Sequence, residues 1–449
     1  MNRKTNLILA GSFLTATCLV VLFGYRRQAT LESDYVLLER SGTGLDSIEW
    51  LAQKQKENQY KNTLNLNQDD LKALTGMAGL FIQEARITGN YSYYDNAASY
   101  YVQRTLAIDS NYFDALTLQS LLYFNQHHFS EGLTVAKKLV KMNPYNAFVF
   151  GLLTDGFIEM GQYDSALVTA QRMMDIRPDI RSYSRVSYLR EIHGDYKGAI
   201  EAMKAAIESG VPGDETTCWS LIQLARLFEN TGDTAMAIIQ YENALYQRPG
   251  YTKALEGLAN LYSLQNKHDS AVNYYLRAMK VSKDPSIKEG LAEVYFRQHK
   301  DEQGKTLLNE IIYELSGNNS TETEIQSGHG HHADKELANL YIKINDPKKA
   351  LSHAVAEYNR RPQNADANEA LAWAYYYNNE LENAKKHIAK AMERGNKNPE
   401  LLAKAALINT DGKESVLTHQ YLAGLQSTYY LLPYYIQNEL KSKSIRTSK

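Results

Sequence analysis

Along most of the chain, apolar residues return every three or four positions in short stretches, each closed by Gly, Asn or Pro. Residues 147–180 show the pattern whole. Phe150, Leu153 and Phe157 recur at i, i+3 and i+7 and define one face of a helix. Gly161 follows and predicts a left-handed C-cap, a conformation glycine enters without strain. Asp164 is placed as the N-cap of a second helix, whose inner face carries Ala166, Ala170 and Met173. Pro178 then blocks continuation. The unit predicted is a helical hairpin.

That hairpin recurs. Pro144, Pro178 and Pro212 are spaced by 34 residues, with Pro249 and Pro362 at related points. Between them one phrase returns: "GQYDSALVTAQRMM" from Gly161, "GDYKGAIEAMKAAI" from Gly194, "GDTAMAIIQYENAL" from Gly232, "NKHDSAVNYYLRAM" from Asn266, "NDPKKALSHAVAEY" from Asn345 and "NELENAKKHIAKAM" from Asn379. Ala166, Ala199, Ala237, Ala271, Ala350 and Ala384 share one slot early in the second helix. A methyl group there lets two helix axes approach closely. Phrase and spacing together resemble the tetratricopeptide-repeat (TPR) family over roughly residues 75–395. The resemblance implies an all-α, right-handed solenoid of helix–turn–helix units.

In this register eight units begin near Phe113, Ala147, Ile180, Cys218, Thr252, Pro285, His331 and Ala365, filling 113–398. Residues 67–112 read as a degenerate first repeat, and 28–66 as a tether with one helix. Residues 399–449 read as capping helices, "ELLAKAALI" and "HQYLAGLQSTYYLLPYYIQNEL", with a basic tail.

The N-terminus changes this picture. Residues 1–27 read as an anchor: Leu7 to Tyr25 are 19 uncharged residues, just long enough for a transmembrane helix. No A-x-A-like site closes the run, which argues against a cleaved leader. "LTATC" resembles a degraded bacterial lipobox, so a lipoprotein acylated at Cys18 is the alternative. The expected location is membrane-anchored, with the array periplasmic or otherwise outside the cytoplasm of a bacterium. Cys18 and Cys218, the two cysteines, support neither a disulfide framework nor a thiolate zinc site. With 49 Lys and Arg against 51 Asp and Glu, the usual electrostatic case for nucleic acid is missing.

Candidate chemistry is sparse. No G-x-G-x-x-G, P-loop, H-E-x-x-H or G-x-S-x-G occurs, so no catalysis is expected. The stretch "SGNNSTETEIQSGHGHHADKE" inserts at 316–332, between two units, and reads first as a solvated loop. His329, His331 and His332 there are candidate ligands for Zn²⁺ or Ni²⁺; otherwise no cofactor is expected. His127 and His128, in "FNQHHFS", read as turn residues equivalent to Gly161-Gln162.

The resemblance further implies that first helices line a concave groove through positions 2, 5, 9, 12 and 13 of each unit. Here they give Trp219, Arg226, Asn230, Glu256, Asn260, Glu293, Arg297, Lys335, Asn339, Trp373, Tyr376 and Tyr377. Trp219 with Arg226, and the run "WAYYYNN" with Trp373 and Tyr377, have hot-spot composition, although aromatic residues in helical register are as often packed as presented. Lys335 and Asn339 match part of a carboxylate clamp that Ala370 leaves incomplete. The function expected is a non-catalytic scaffold binding a protein or peptide in the groove. The alternative is a metal-handling accessory protein using the His329–His332 loop. The sequence assigns no oligomeric state.

Overall fold

Turns in this chain are set by residues that tolerate positive φ, and the helices follow from where those turns fall. The computed structural model describes residues 35–41, 47–317, 331–410 and 416–443. Residues 39–449 form one unit by contact. Its described residues form 22 α-helices and one 3₁₀ turn, with no strand. Helices α1 (Ile48–Leu66), α2 (Leu71–Thr88) and α3 (Tyr91–Ile108) lead into eight helical pairs. The first four pairs are α4 (Phe113–Asn125) with α5 (Phe129–Met142), α6 (Ala147–Glu159) with α7 (Tyr163–Ile176), α8 (Ile180–Ile192) with α9 (Tyr196–Glu208), and α10 (Glu215–Asn230) with α11 (Thr234–Gln247). Next come α12 (Thr252–Leu264) with α13 (His268–Met279), α14 (Pro285–Arg297) with α15 (Asp301–Leu315), α16 (Asp334–Lys343) with α17 (Pro347–Arg360), and α18 (Ala365–Tyr377) with α19 (Leu381–Met392). Helices α20 (Pro399–Ile408), α21 (Val416–Ala423) and α22 (Tyr434–Ser442) close the array.

The N-cap lies one residue after the left-handed turn position. Asp195 and Asp233 there accept from the amides of Gly198 and Met236 at 2.9 and 3.1 Å. Helix α7 differs from expectation: Gln162 holds the cap position without a side-chain bond, and Asp164 sits in the first turn, where its charge faces the helix dipole. Helix α10 begins three residues before Cys218, and α16 three after His331. The shared alanine slot is fully buried at all six positions. In α5 and α15 the slot holds Gly132 and Gly304, where a Cβ would come within 2.5 Å of the Phe124 ring and 2.7 Å of the Phe296 ring. In both pairs glycine stands where the facing first helix supplies phenylalanine.

Apolar surfaces are hidden between neighbouring helices, but the superhelix also touches itself about 200 residues on. Arg361 reaches Glu159, Asn364 Nδ2 donates to the Ile158 carbonyl at 3.3 Å, and Ala365 N donates to Tyr163 Oη at 2.9 Å. Farther along, Arg394 pairs with Asp164 at 2.9 Å and Tyr196 Oη donates to Asn396 Oδ1 at 3.3 Å. These contacts explain two glycines twice over. Gly161 and Gly194 have φ of 71° and 72°, and a Cβ on either would collide with the backbone of Gln363 or Gly395 in the next turn. Polar turn-to-turn contacts thus add to the apolar packing of each repeat on its neighbours.

Part of the segment read as a tether is docked. Trp50 of α1 is 2% exposed, and Glu49 receives both Arg248 Nη atoms at 2.6 and 3.0 Å, 199 residues away. At the other end the closing helix is not continuous. Pro433 separates a 3₁₀ turn, Tyr429–Leu431, from α22. The apolar run at 7–25, Cys18, His329 and the tail from 444 lie outside the described residues. Among the described residues no helix is long and apolar enough to cross a membrane.

Candidate functional site

First helices supply most of the wall of a cavity of about 1150 Å³ enclosed by the winding. Five of the expected groove residues line it: Trp219, Arg226 and Asn230 from α10, and Lys335 and Asn339 from α16. Helix α8 contributes Arg181, Ser184, Tyr188, Glu191 and Ile192, which are positions 2, 5, 9, 12 and 13 of its unit. Arg181, Ser184 and Tyr188 were missed, although the same register would have found them. Tyr188 leaves 42% of its surface exposed toward this space.

Most charges in the wall are already answered. Asp155 binds Arg185 through two bonds of 2.5 and 2.8 Å. Lys335 pairs with Asp366 at 3.0 Å, and Asp366 holds the ammonium well above its ordinary range. The Lys335 charge in turn holds the Asp366 carboxyl below its own. Lys335 is thus occupied, which removes it as a clamp for a terminal carboxylate. Lys404 is buried between Glu369 and Glu400, each at 2.8 Å. Burial pushes the Glu229 carboxyl up to about 7, although it accepts from Tyr241 Oη at 2.9 Å. Arg226 is the exception: it is exposed into the cavity and makes no hydrogen bond or ion pair among the described residues. It lies within electrostatic reach of Glu191 and Glu229.

A smaller cavity of about 330 Å³ takes in Asn230, Asn260, Glu293 and Arg297. The chain's own C-terminal segment enters it. Arg297 Nη2 donates to the Leu432 carbonyl at 2.8 Å, and Glu293 Oε1 accepts from Tyr434 N at 2.5 Å. Glu256 is tied to Lys253 at 3.2 Å and to the Ser286 hydroxyl at 2.8 Å. These three charged residues hold structure rather than stand free in the groove.

The aromatic run of α18 is a correction. Trp373 is 1% exposed and Tyr376 8%, both packed in one core with Leu401, Leu402, Ile436 and Leu440 of α20 and α22. Trp373 stacks on Tyr376 at 5.0 Å, Tyr377 meets its edge at 5.0 Å, and Tyr376 Oη donates to Glu439 at 2.8 Å. The capping helices cover the very positions that face the cavity in earlier units. Cys218 is fully buried, and burial pushes its thiol up to about 11, so it is inert at neutral pH.

The histidines meet across turns. His331 and His332 lie against His127 and His128, with ring centroids 4.3 Å apart for His127–His331 and 3.9 Å for His128–His332. Burial lowers His127 to about 4, and burial with the neighbouring His127 does the same to His331. His127 has φ of 62°, the turn conformation of Gly161, as its place in the repeat predicts.

Family models described as tetratricopeptide repeat match residues 220–251 and 254–289. Among solved structures, a human IFIT1 dimer with PPP-AAAA is 13% identical, covers 77% of this chain and 79% of its own, and has a TM-score of 0.47. The APC/C hetero-tetramer Cut9-Hcn1 is 15% identical over 73% of this chain and 61% of its own, TM-score 0.44. A thermophilic TPR protein of Thermus thermophilus is 17% identical over 46% of this chain and 99% of its own, TM-score 0.35. No curated protein matches the sequence.

Proposed function

The chain belongs to the tetratricopeptide-repeat family, and from that premise we propose that it is a non-catalytic scaffold holding an extended, acidic protein segment inside its superhelix. One observation carries the reading: Arg226 stands unpaired in the cavity wall, seven residues and two helical turns from half-buried Trp219 on the same helix. A carboxylate would meet the guanidinium in a bidentate pair while an apolar or aromatic side chain covered the indole. A protein is favoured over RNA because the wall carries seven cationic and seven acidic side chains, leaving no net field for a phosphate backbone.

Selection from a displayed peptide library on the full chain tests this. Acidic peptides should be recovered, with their binding lost in Trp219→Ala/Arg226→Ala. Peptides binding that double variant as well as wild type would contradict the proposal, and so would an RNA homopolymer competing for Arg226. The uncharged run at 7–25 supports a membrane-tethered placement. Retention in the membrane pellet at alkaline pH would agree with it, and release into the supernatant would not.

A further inference from the structure

Two places far apart in sequence meet at one contact between superhelical turns. His127 stands in the turn between α4 and α5, while His331 and Glu336 stand at the start of α16. The two places are already joined by a backbone and a side-chain contact: His332 N donates to the Gln126 carbonyl at 3.0 Å, and the His127 ring Nδ1 lies 3.0 Å from the His332 carbonyl, 205 residues on. One ligand atom from each of His127, His331 and Glu336 falls within 4.8 Å of the others, and His127 Nδ1 is 4.0 Å from Glu336 Oε1.

Simple packing accounts poorly for this cluster. Glu336 Oε2 is buried without a hydrogen-bond partner among the described residues, the kind of orphan that folded chains avoid. The left-handed turn at His127, the same that Gly161, Asn266 and His299 make in their units, sets its ring at this contact. A cation would satisfy the carboxylate. Two imidazoles and a carboxylate suit zinc, nickel or copper and not magnesium or calcium. Zinc bonds of about 2.0–2.2 Å require the three ligands to close by an ångström or so, within reach of side-chain rotation.

We infer that His127, His331 and Glu336 form a binding site for a first-row divalent cation of the zinc class, with an open fourth position, clamping one superhelical turn to the next. The site is independent of the groove reading and uses His127, which the His329–His332 loop alone would not require. Its chemistry is coordination only, with no electron or group transfer.

The test is calorimetric titration of the full chain with Zn²⁺, with Co²⁺ absorption as a report on ligand geometry. Wild type should bind one equivalent, and His127→Gly and Glu336→Gln should each weaken binding at least about tenfold. Glutamine keeps the shape of glutamate, so metal-free Glu336→Gln should melt as wild type does. His127→Gly suits the turn but loses the bond to the His332 carbonyl, so it should keep the wild-type circular dichroism and melt somewhat lower. His329→Ala should bind as wild type does. Zinc should raise the thermal midpoint of wild type and leave that of His127→Gly unmoved. Absence of zinc binding in wild type, equal affinity in all variants, or a loss confined to His329→Ala would overturn the site.

Discussion

Arg361 Nη1 lies 2.5 Å from Glu159 Oε2, 202 residues earlier in the chain, while its Nε binds Glu357 at 2.5 Å. The guanidinium side chain is 4% exposed. Burial opposes the Glu357 charge, but Arg361 and Arg360 outweigh it and hold that carboxyl below the usual range. One buried cation thus joins two turns. Removing it leaves Glu159 without its counter-charge and Glu357 with Arg360 alone, so Arg361→Ala should destabilise by about 3 kcal/mol, the lower end for a broken buried pair. An unchanged urea midpoint would show that the turns are not joined through this residue.

Asp95 of α3 is 5% exposed, its Oδ1 has no hydrogen-bond partner among the described residues, and burial pushes its carboxyl up to about 7. An unfolded aspartate titrates near about 3.9. Between those values the folded chain keeps a proton the unfolded chain has lost, so stability falls as pH rises from about 4 to about 7. Asp95→Asn should flatten that slope. It should be more stable than wild type by about 1–4 kcal/mol at pH 8, with the difference vanishing near pH 4. Parallel stability curves for the two proteins would refute the assignment.

Ala237 is fully buried in the slot where paired helices approach. Ala237→Leu should cost about 1–3 kcal/mol through overpacking, read as a lower thermal midpoint.

The three tryptophans separate cleanly. Trp50 is 2% and Trp373 1% exposed, whereas Trp219 is half-buried at the cavity wall. Iodide or acrylamide should quench one tryptophan only, and Trp219→Phe should abolish that quenching. Trp373→Ala should lower stability by about 3–5 kcal/mol as a core truncation. A Trp373→Ala protein of wild-type stability would return that residue to the binding surface.

The repeat was legible in the sequence because apolar spacing, the alanine slot and the turn residues act within one hairpin. Phe113, Ala147, Ile180, Thr252, Pro285 and Ala365 are the first residues of their helices. What lay beyond reading was contact at long separation. Nothing local says that Gln363 will abut Gly161, that α20 and α22 will cover Trp373, or that His127 will meet His331. The groove set divided in the same way. Arg226 and Asn230 line the cavity, while Glu293 and Arg297, in equivalent positions, hold the returning C-terminal segment. Identical register positions diverge when a later part of the chain arrives to cover them.

Successive turns of the superhelix touch, and the enclosed cavity depends on it. Asp164 and Arg394, 230 residues apart, are paired at 2.9 Å near the surface. Spin labels at Asp164→Cys and Arg394→Cys, measured by double electron–electron resonance, read that contact directly. A single narrow distance within about two helix diameters, roughly 20–25 Å, is expected. A broad distribution centred well beyond that span would describe an open superhelix and contradict the closed cavity.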